Sequence, residues 1–252
     1  SQTPRSAAEQ HAGSRPSSNG AWLIANSYGS DYNDNGYFWV SYEEPSLSDI
    51  YTMAAESTAN YENIYQYDGN GWSNGTAFPS SDITGANVFT SGSSFEETLN
   101  AVSFYTMTDN QKYTVKIYKN LTGDTPDTGT LASSCTVSGT ADYSGYHTVK
   151  LPTSCTLSPG SKFAVTITYK YDSSSGHEAY IPYEGESESY DGVLYSYGSK
   201  QGQSFIYAND DKTWYDCTTI DNRVMNNLPI KAFTSNGIAT TNTKVSFSKS
   251  LV

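Results

Sequence analysis

Basic charge is scarce in this chain. Its 252 residues carry 14 Lys and Arg against 26 Asp and Glu, a formal net charge of −12. This argues against a nucleic acid or an anionic membrane as main partner, because no dense basic patch is available. Charge of either sign is sparse, at 16% of residues, so this is not a charge-rich helical protein. No run approaches the roughly 18 apolar residues that a membrane-spanning helix needs. Only three cysteines occur, and no pair of them has C-x-x-C spacing, which argues against a thiolate zinc site. Sustained helical periodicity is absent as well. What remains is Ser, Thr, Asn, Gly and 22 tyrosines. Tyr and Thr suit pleated, half-buried surfaces, and Gly and Asn suit tight turns. The composition predicts a secreted-type, tyrosine-rich, all-β protein.

Cys135 and Cys155 lie in similar settings, Ser-Cys-Thr-Val-Ser-Gly and Ser-Cys-Thr-Leu-Ser-Pro-Gly. Two readings stay open: a disulfide clipping neighbouring strands, with Cys217 left over, or three buried small apolar side chains. Asn74-Gly75-Thr76 and Asn120-Leu121-Thr122 fit the glycosylation sequon, which matters only in a glycosylating host.

Along the chain, residues 1–20 hold almost no large apolar side chains and predict a flexible leader. Trp22-Leu23-Ile24 and Tyr37-Phe38-Trp39-Val40-Ser41-Tyr42 predict two strands joined by a Gly- and Asp-rich connection, a hairpin-like unit within residues 21–50. Short strands and turn signals then alternate over residues 60–235, ahead of a tail at 236–252. Lys112–Lys119 alternates polar and apolar residues, as does Phe163–Tyr169, so each predicts one face on a core and one on water. Gly123-Asp124-Thr125-Pro126-Asp127 and Ser158-Pro159-Gly160 separate strands. A strand is also expected over Ser134–Ser138. Many short antiparallel strands with regular turns predict a β-sandwich of jelly-roll type.

The most informative stretch is Gly20-Ala21-Trp22-Leu23-Ile24-Ala25-Asn26-Ser27-Tyr28-Gly29, followed by Asp34-Asn35-Gly36-Tyr37-Phe38. It resembles the C-terminal end of papain-like cysteine peptidases, where Trp, two aliphatics, a variable residue and Asn-Ser-Trp-Gly precede a turn and Asn-Gly-Tyr-aromatic. The resemblance implies that Asn26 occupies the family's catalytic Asn position, whose side chain orients the imidazole that activates the nucleophilic cysteine. Gly29 matches the motif glycine, and Tyr28 replaces the usual Trp. The resemblance covers about residues 17–45. The remainder resembles the lectin-like sandwich domain that follows papain-like domains in some bacterial and archaeal surface proteins, on Ser204-Phe205-Ile206-Tyr207, Asp211-Lys212-Thr213-Trp214-Tyr215-Asp216 and Ile230-Lys231-Ala232-Phe233-Thr234.

The departures are decisive. No cysteine precedes Cys135, so the nucleophile has no counterpart, nor has the oxyanion-hole glutamine. His11 precedes Asn26 by fifteen positions, but Ala12 to Ser18 cannot form the apolar strand that should follow a catalytic histidine. Other motifs fare no better. Asp31-Tyr32-Asn33-Asp34-Asn35-Gly36 opens like a calcium loop, yet Tyr42 stands where a bidentate Glu is required. Gly71-Trp72-Ser73-Asn74-Gly75 fits G-x-S-x-G but lies in a polar context without the strand and helix that pattern needs. Glu184-Gly185-Glu186-Ser187-Glu188 with Asp191 reads as a solvated acidic loop.

The sequence thus predicts an all-β antiparallel sandwich of lectin-like type, preceded by a short hairpin of papain-like origin. The expected role is a secreted or surface binding module, non-catalytic in this chain, with a glycan or cell-surface protein as ligand. The alternative is the C-terminal part of an active cysteine endopeptidase whose Cys and His lie in a missing or separate chain, the remainder of a peptidase domain then being its partner. Neither metal nor cofactor is expected. Trp72 and Trp214 are the candidate ligand-stacking residues, since aromatic faces pack on the apolar faces of sugar rings.

Overall fold

Asn33 and Asn35 adopt left-handed backbone conformations, φ 54° and 51°, which short polar side chains tolerate best. They turn the chain between β1 (Ala21–Ala25) and β2 (Tyr37–Ser41), which pair antiparallel from Ala21↔Ser41 to Ala25↔Tyr37. The computed structural model describes residues 16–47, 50–78, 80–176, 178–185, 188–190, 192–195, 198–209, 212–220 and 225–237. His11, His177, most of the expected leader and nearly all of the expected C-terminal tail lie outside them. The chain divides into two compact units, Ser1–Glu56 and Ser57–Val252.

In the first unit, Trp22 meets the Tyr42 ring edge-on at 4.8 Å. Ser17 and Ser18 each donate a backbone N–H and a hydroxyl to the Glu43 carboxylate, at 2.5–2.8 Å. The end of the expected leader is therefore tied down. Gly20 sits at φ 137°, and a Cβ there would collide with the Tyr42 ring. Only glycine lets the backbone pass so close.

The second unit is an antiparallel β-sandwich, numbered onward in chain order. One sheet runs β10 (Gly145–Leu157), β6 (Glu97–Thr106), β17 (Lys231–Asn236), β3 (Asn63–Tyr65). The other runs β16 (Thr213–Asp216), β15 (Ser204–Ala208), β5 (Ile83–Thr90), β11 (Lys162–Tyr169), β7 (Gln111–Lys119), β8 (Thr130–Leu131), with β9 (Val137–Ala141) also pairing β7. β4 (Asn74–Phe78) pairs β12 (Ala179–Tyr183), and β13 (Glu188–Tyr190) pairs β14 (Val193–Tyr195). No α-helix occurs among the described residues. There are only two 3₁₀ turns among them, Ser133–Cys135 and Cys217–Thr219.

Strand alternation builds the core. Phe163, Val165, Ile167 and Tyr169 of β11 face inward, beside Val115 and Ile117 of β7 and opposite Val102 and Phe104 of β6. All eight are at most 1% exposed. Removing one such aromatic ring costs about 3–5 kcal/mol. On the outer face of the larger sheet, Ala86, Val88, Ala164 and Phe205 form a second, smaller cluster under Trp214. Buried Asn87 fastens the segment leading into β17. Its amide nitrogen donates to the Leu228 and Ile230 carbonyls, both at 2.9 Å, and its oxygen accepts from the Ser204 hydroxyl at 2.7 Å.

Two local expectations are corrected. Ser134 and Cys135 belong to a 3₁₀ turn, and the strand begins only at Val137. The polar stretch after Trp72 forms β4, so a strand follows Ser73 where a nucleophile elbow requires a helix. All three cysteines are free and buried in this structure, as in the second of the two readings left open for them.

A candidate functional site on the outer face of the smaller sheet

β3 and β17 place successive side chains on opposite faces of the smaller sheet. Tyr65 and Tyr67 turn inward onto Phe89. Ile64 and Gln66 therefore turn outward, with Lys231 and Phe233 beside them across the Phe233↔Ile64 pair. β6 contributes Ala101, Ser103 and Tyr105, and β10 contributes Tyr146, Thr148 and Lys150, in the register Tyr146↔Tyr105, Thr148↔Ser103 and Lys150↔Ala101. This outer face is aromatic at one end. Tyr105 and Tyr146 are tilted against each other at 5.0 Å, and Trp72 meets Tyr105 edge-on at 6.4 Å. Tyr146 is anchored by its hydroxyl, which donates to Ser103 Oγ at 2.6 Å. Trp72 is 42% exposed and Tyr146 45%.

Beside this row lies a buried polar cluster. Lys231 Nζ donates to Gln66 Oε1 at 2.8 Å and to Asp68 Oδ2 at 2.5 Å. Glu184 Oε1 accepts from the Gly69 and Asn70 N–H groups, at 2.8 and 3.2 Å, and Glu184 Oε2 accepts from Asn227 Nδ2 at 3.3 Å. Burial raises the pKa of Asp68 despite the opposing pull of Lys231. Burial also raises that of Glu184, with the Asp68 charge adding to it. Glu184 is thus buried, contrary to the solvated acidic loop expected there. Glu186, Ser187 and Asp191 lie outside the described residues. Asp68 Oδ1 and Asn227 Oδ1 are buried without a hydrogen-bond partner. As metal ligands its carboxylates offer only oxygens, and no three His, Cys, Asp or Glu side chains among the described residues could hold a metal ion together.

The two candidate tryptophans are not brought together. Trp72 belongs to the smaller sheet's outer face. Trp214, on β16, lies tilted against Tyr207 at 5.2 Å and covers the second cluster on the larger sheet, with its indole N–H buried and unpaired. Tyr105 and Tyr146 were not legible as site residues, because their exposure depends on a register set by strands forty residues apart.

Asn26, in the other unit, spends its side chain on its own turn. Its Oδ1 accepts from the Tyr28 N–H at 2.8 Å, and its Nδ2 donates to the Tyr32 carbonyl at 3.5 Å. No Cys or His occurs among the described residues of that unit. Ser73 Oγ accepts from the Gly185 N–H at 2.9 Å, a structural use rather than a nucleophile's pairing with a base.

The chain is similar to two solved structures. One is described as a variant of the clostridial cysteine protease Cwp84 after propeptide cleavage (27% identity, TM-score 0.64, covering 88% of this chain and 53% of that one). The other is described as the cysteine protease and lectin-like domains of Cwp84, a surface layer associated protein of Clostridium difficile (27% identity, TM-score 0.65, covering 88% of this chain and 47% of that one). The chain thus spans about half the length of these structures. No curated protein matches it. A family model, that of the lectin-like domain, matches residues 64–234, and with more than half of its length so matched the chain belongs to the lectin-like domain family.

Proposed function

We propose that the sandwich is a glycan-binding module and that its ligand lies along the outer face of the smaller sheet, on Trp72, Tyr105 and Tyr146. The observation that carries this reading is the contiguous, half-exposed aromatic row beside polar side chains. Sugar rings present apolar C–H faces to such rings and hydroxyls to neighbouring polar groups. Lys150, Thr148 and Gln66 supply donors and acceptors on the same face. Trp214, tucked against Tyr207, serves as cover for the larger sheet. The module works outside the cell, in line with the surface-layer association of the similar Clostridium difficile protein.

A glycan array on the full chain tests this, followed by calorimetry with the strongest hit. Trp72→Ala and Tyr146→Ala should each weaken binding at least tenfold, with the fold intact by circular dichroism. An array without hits, or binding indifferent to both changes, overturns the reading.

One observation favours a second role for the first unit. The structural likeness covers 88% of the chain, more than residues 64–234 supply, and both similar structures include a cysteine protease. The β1–β2 hairpin is then the closing hairpin of a cysteine peptidase domain, with Asn26 in the orienting position and the nucleophile supplied elsewhere. This chain alone should show no peptidase activity sensitive to a thiol-directed inhibitor; any such activity contradicts the assignment.

A further inference from the structure

Cys135 and Cys155 both belong to the main core and are 2% exposed. Cys135 ends the 3₁₀ turn Ser133–Cys135, which packs on β10, and Cys155 lies within β10. Thr153 ties the two segments together. Its hydroxyl donates to the Ser134 carbonyl at 2.7 Å and lies 3.7 Å from Cys135 Sγ. Cys135 and Cys155 thus lie in one core cluster, where the turn packs on β10. Cys217 stands apart, under the other 3₁₀ turn, and is held protonated by burial.

Each member of the pair is covered by a thin margin. Ser133 and Ser134 are exposed on one side, and Pro152, Thr153 and Ser154 on the other. The ladder between β10 and β6 shifts register between Lys150 and Cys155, as at a bulge. The short strand β8, just before the turn, is exposed and ends the sheet. Access to the buried pair therefore requires this edge to open.

We infer that Cys135 and Cys155 are a disulfide-forming pair, closed when the chain folds in an oxidising compartment. The oxidant is a low-molecular-weight disulfide such as oxidised glutathione. One cysteine, as thiolate, attacks a sulfur of that disulfide and expels one glutathione thiolate, leaving a mixed disulfide. The second, also deprotonated, attacks the protein sulfur of the mixed disulfide and expels the other glutathione. Two protons leave the protein, and its two electrons reduce the external disulfide to two thiols. Burial pushes the Cys155 thiol up to about 12, so exchange proceeds through the opened edge or during folding. The bond would fasten the turn to β10, restricting the unfolded chain between them.

The test is refolding of the full chain from denaturant in a mixture of oxidised and reduced glutathione. Denaturing alkylation and peptide mapping follow. The expected result is one linked peptide pair containing Cys135 and Cys155, with Cys217 alkylated. The oxidised protein should also melt roughly 5–10 °C above the same protein held in reductant. The double variant Cys135→Ala/Cys155→Val should show no response to redox conditions. Alkylation of all three thiols after refolding overturns the inference, and so does linkage through Cys217 or a stable glutathione adduct in place of the link.

Discussion

The Thr234 hydroxyl donates to the buried carboxylate of Glu97 across 2.5 Å. The other carboxylate oxygen accepts from the Tyr65 hydroxyl at 2.6 Å and the Gly92 N–H at 2.7 Å. One side chain at the start of β6 thus binds β17, β3 and the turn after β5. A buried carboxylate is tolerable only with such a full set of donors. Thr234→Val removes one donor and should cost about 1–3 kcal/mol. Tyr65→Phe should cost a similar amount. Urea unfolding of both single variants and the double would show coupling, because the two share one acceptor. Strict additivity would count against a shared network.

Asp68 and Glu184 give the fold an unusual acid response. Burial raises both folded-state values above the ordinary 3.8 and 4.5. The folded chain then holds these protons more tightly than the unfolded chain does. Their contribution to stability is fully present below the unfolded values and is lost as pH rises through the folded ones. Wild type should therefore gain melting temperature relative to Asp68→Asn/Glu184→Gln on acidification from neutral pH towards about 4. Parallel melting curves across that range would refute the assignment.

Glu43 behaves in the opposite sense. The Ser18 hydroxyl first, then the Ser17 N–H and hydroxyl and the Ser18 N–H, hold its carboxyl down to about 2. Its contribution is present above the unfolded value near 4.5 and is lost as pH falls through about 2. A carboxyl titration followed by NMR should place Glu43 near that value. Glu43→Gln should loosen residues 16–20, read as faster amide exchange at Ser17 and Ser18. Titration in the ordinary carboxylate range would contradict the arrangement.

Trp72 and Trp214 should separate in stability as sharply as they do in position. Trp72→Ala removes a half-exposed ring and should shift the unfolding free energy by less than about 1 kcal/mol. Trp214→Ala uncovers Phe205 and its neighbours and should cost about 2 kcal/mol or more. Denaturant midpoints of the two variants decide this. Equal costs would mean that Trp72 is also a packing residue.

Much of the architecture was readable because single strands carry their own pattern. Val115 and Ile117 alternate with Lys116 and Lys112, and Phe163, Val165 and Ile167 alternate with Thr166 and Thr168. Each series reports a core face directly. β4 carried no such report, since Asn74, Gly75 and Thr76 are ordinary turn residues and become a strand only by pairing with Pro182 and its neighbours. The same limit hid much of the site. Glu184 reads as solvated until Gly69 and Asn70, more than a hundred residues away, present their N–H groups to it. Trp72 stood out by residue type alone. Tyr105 and Tyr146 did not, among 22 tyrosines, because which face a tyrosine takes depends on a register that no local pattern specifies.

β3 and β17, the first and last strands of the sandwich among the described residues, are hydrogen-bonded neighbours, and the Glu62 N–H reaches the Thr234 carbonyl at 2.9 Å. The polypeptide therefore enters and leaves the sandwich side by side. Such a module can be spliced into a host polypeptide at a single surface point without prising the host's ends apart. It can be gained, lost or moved between proteins as a cassette, its aromatic outer face travelling intact.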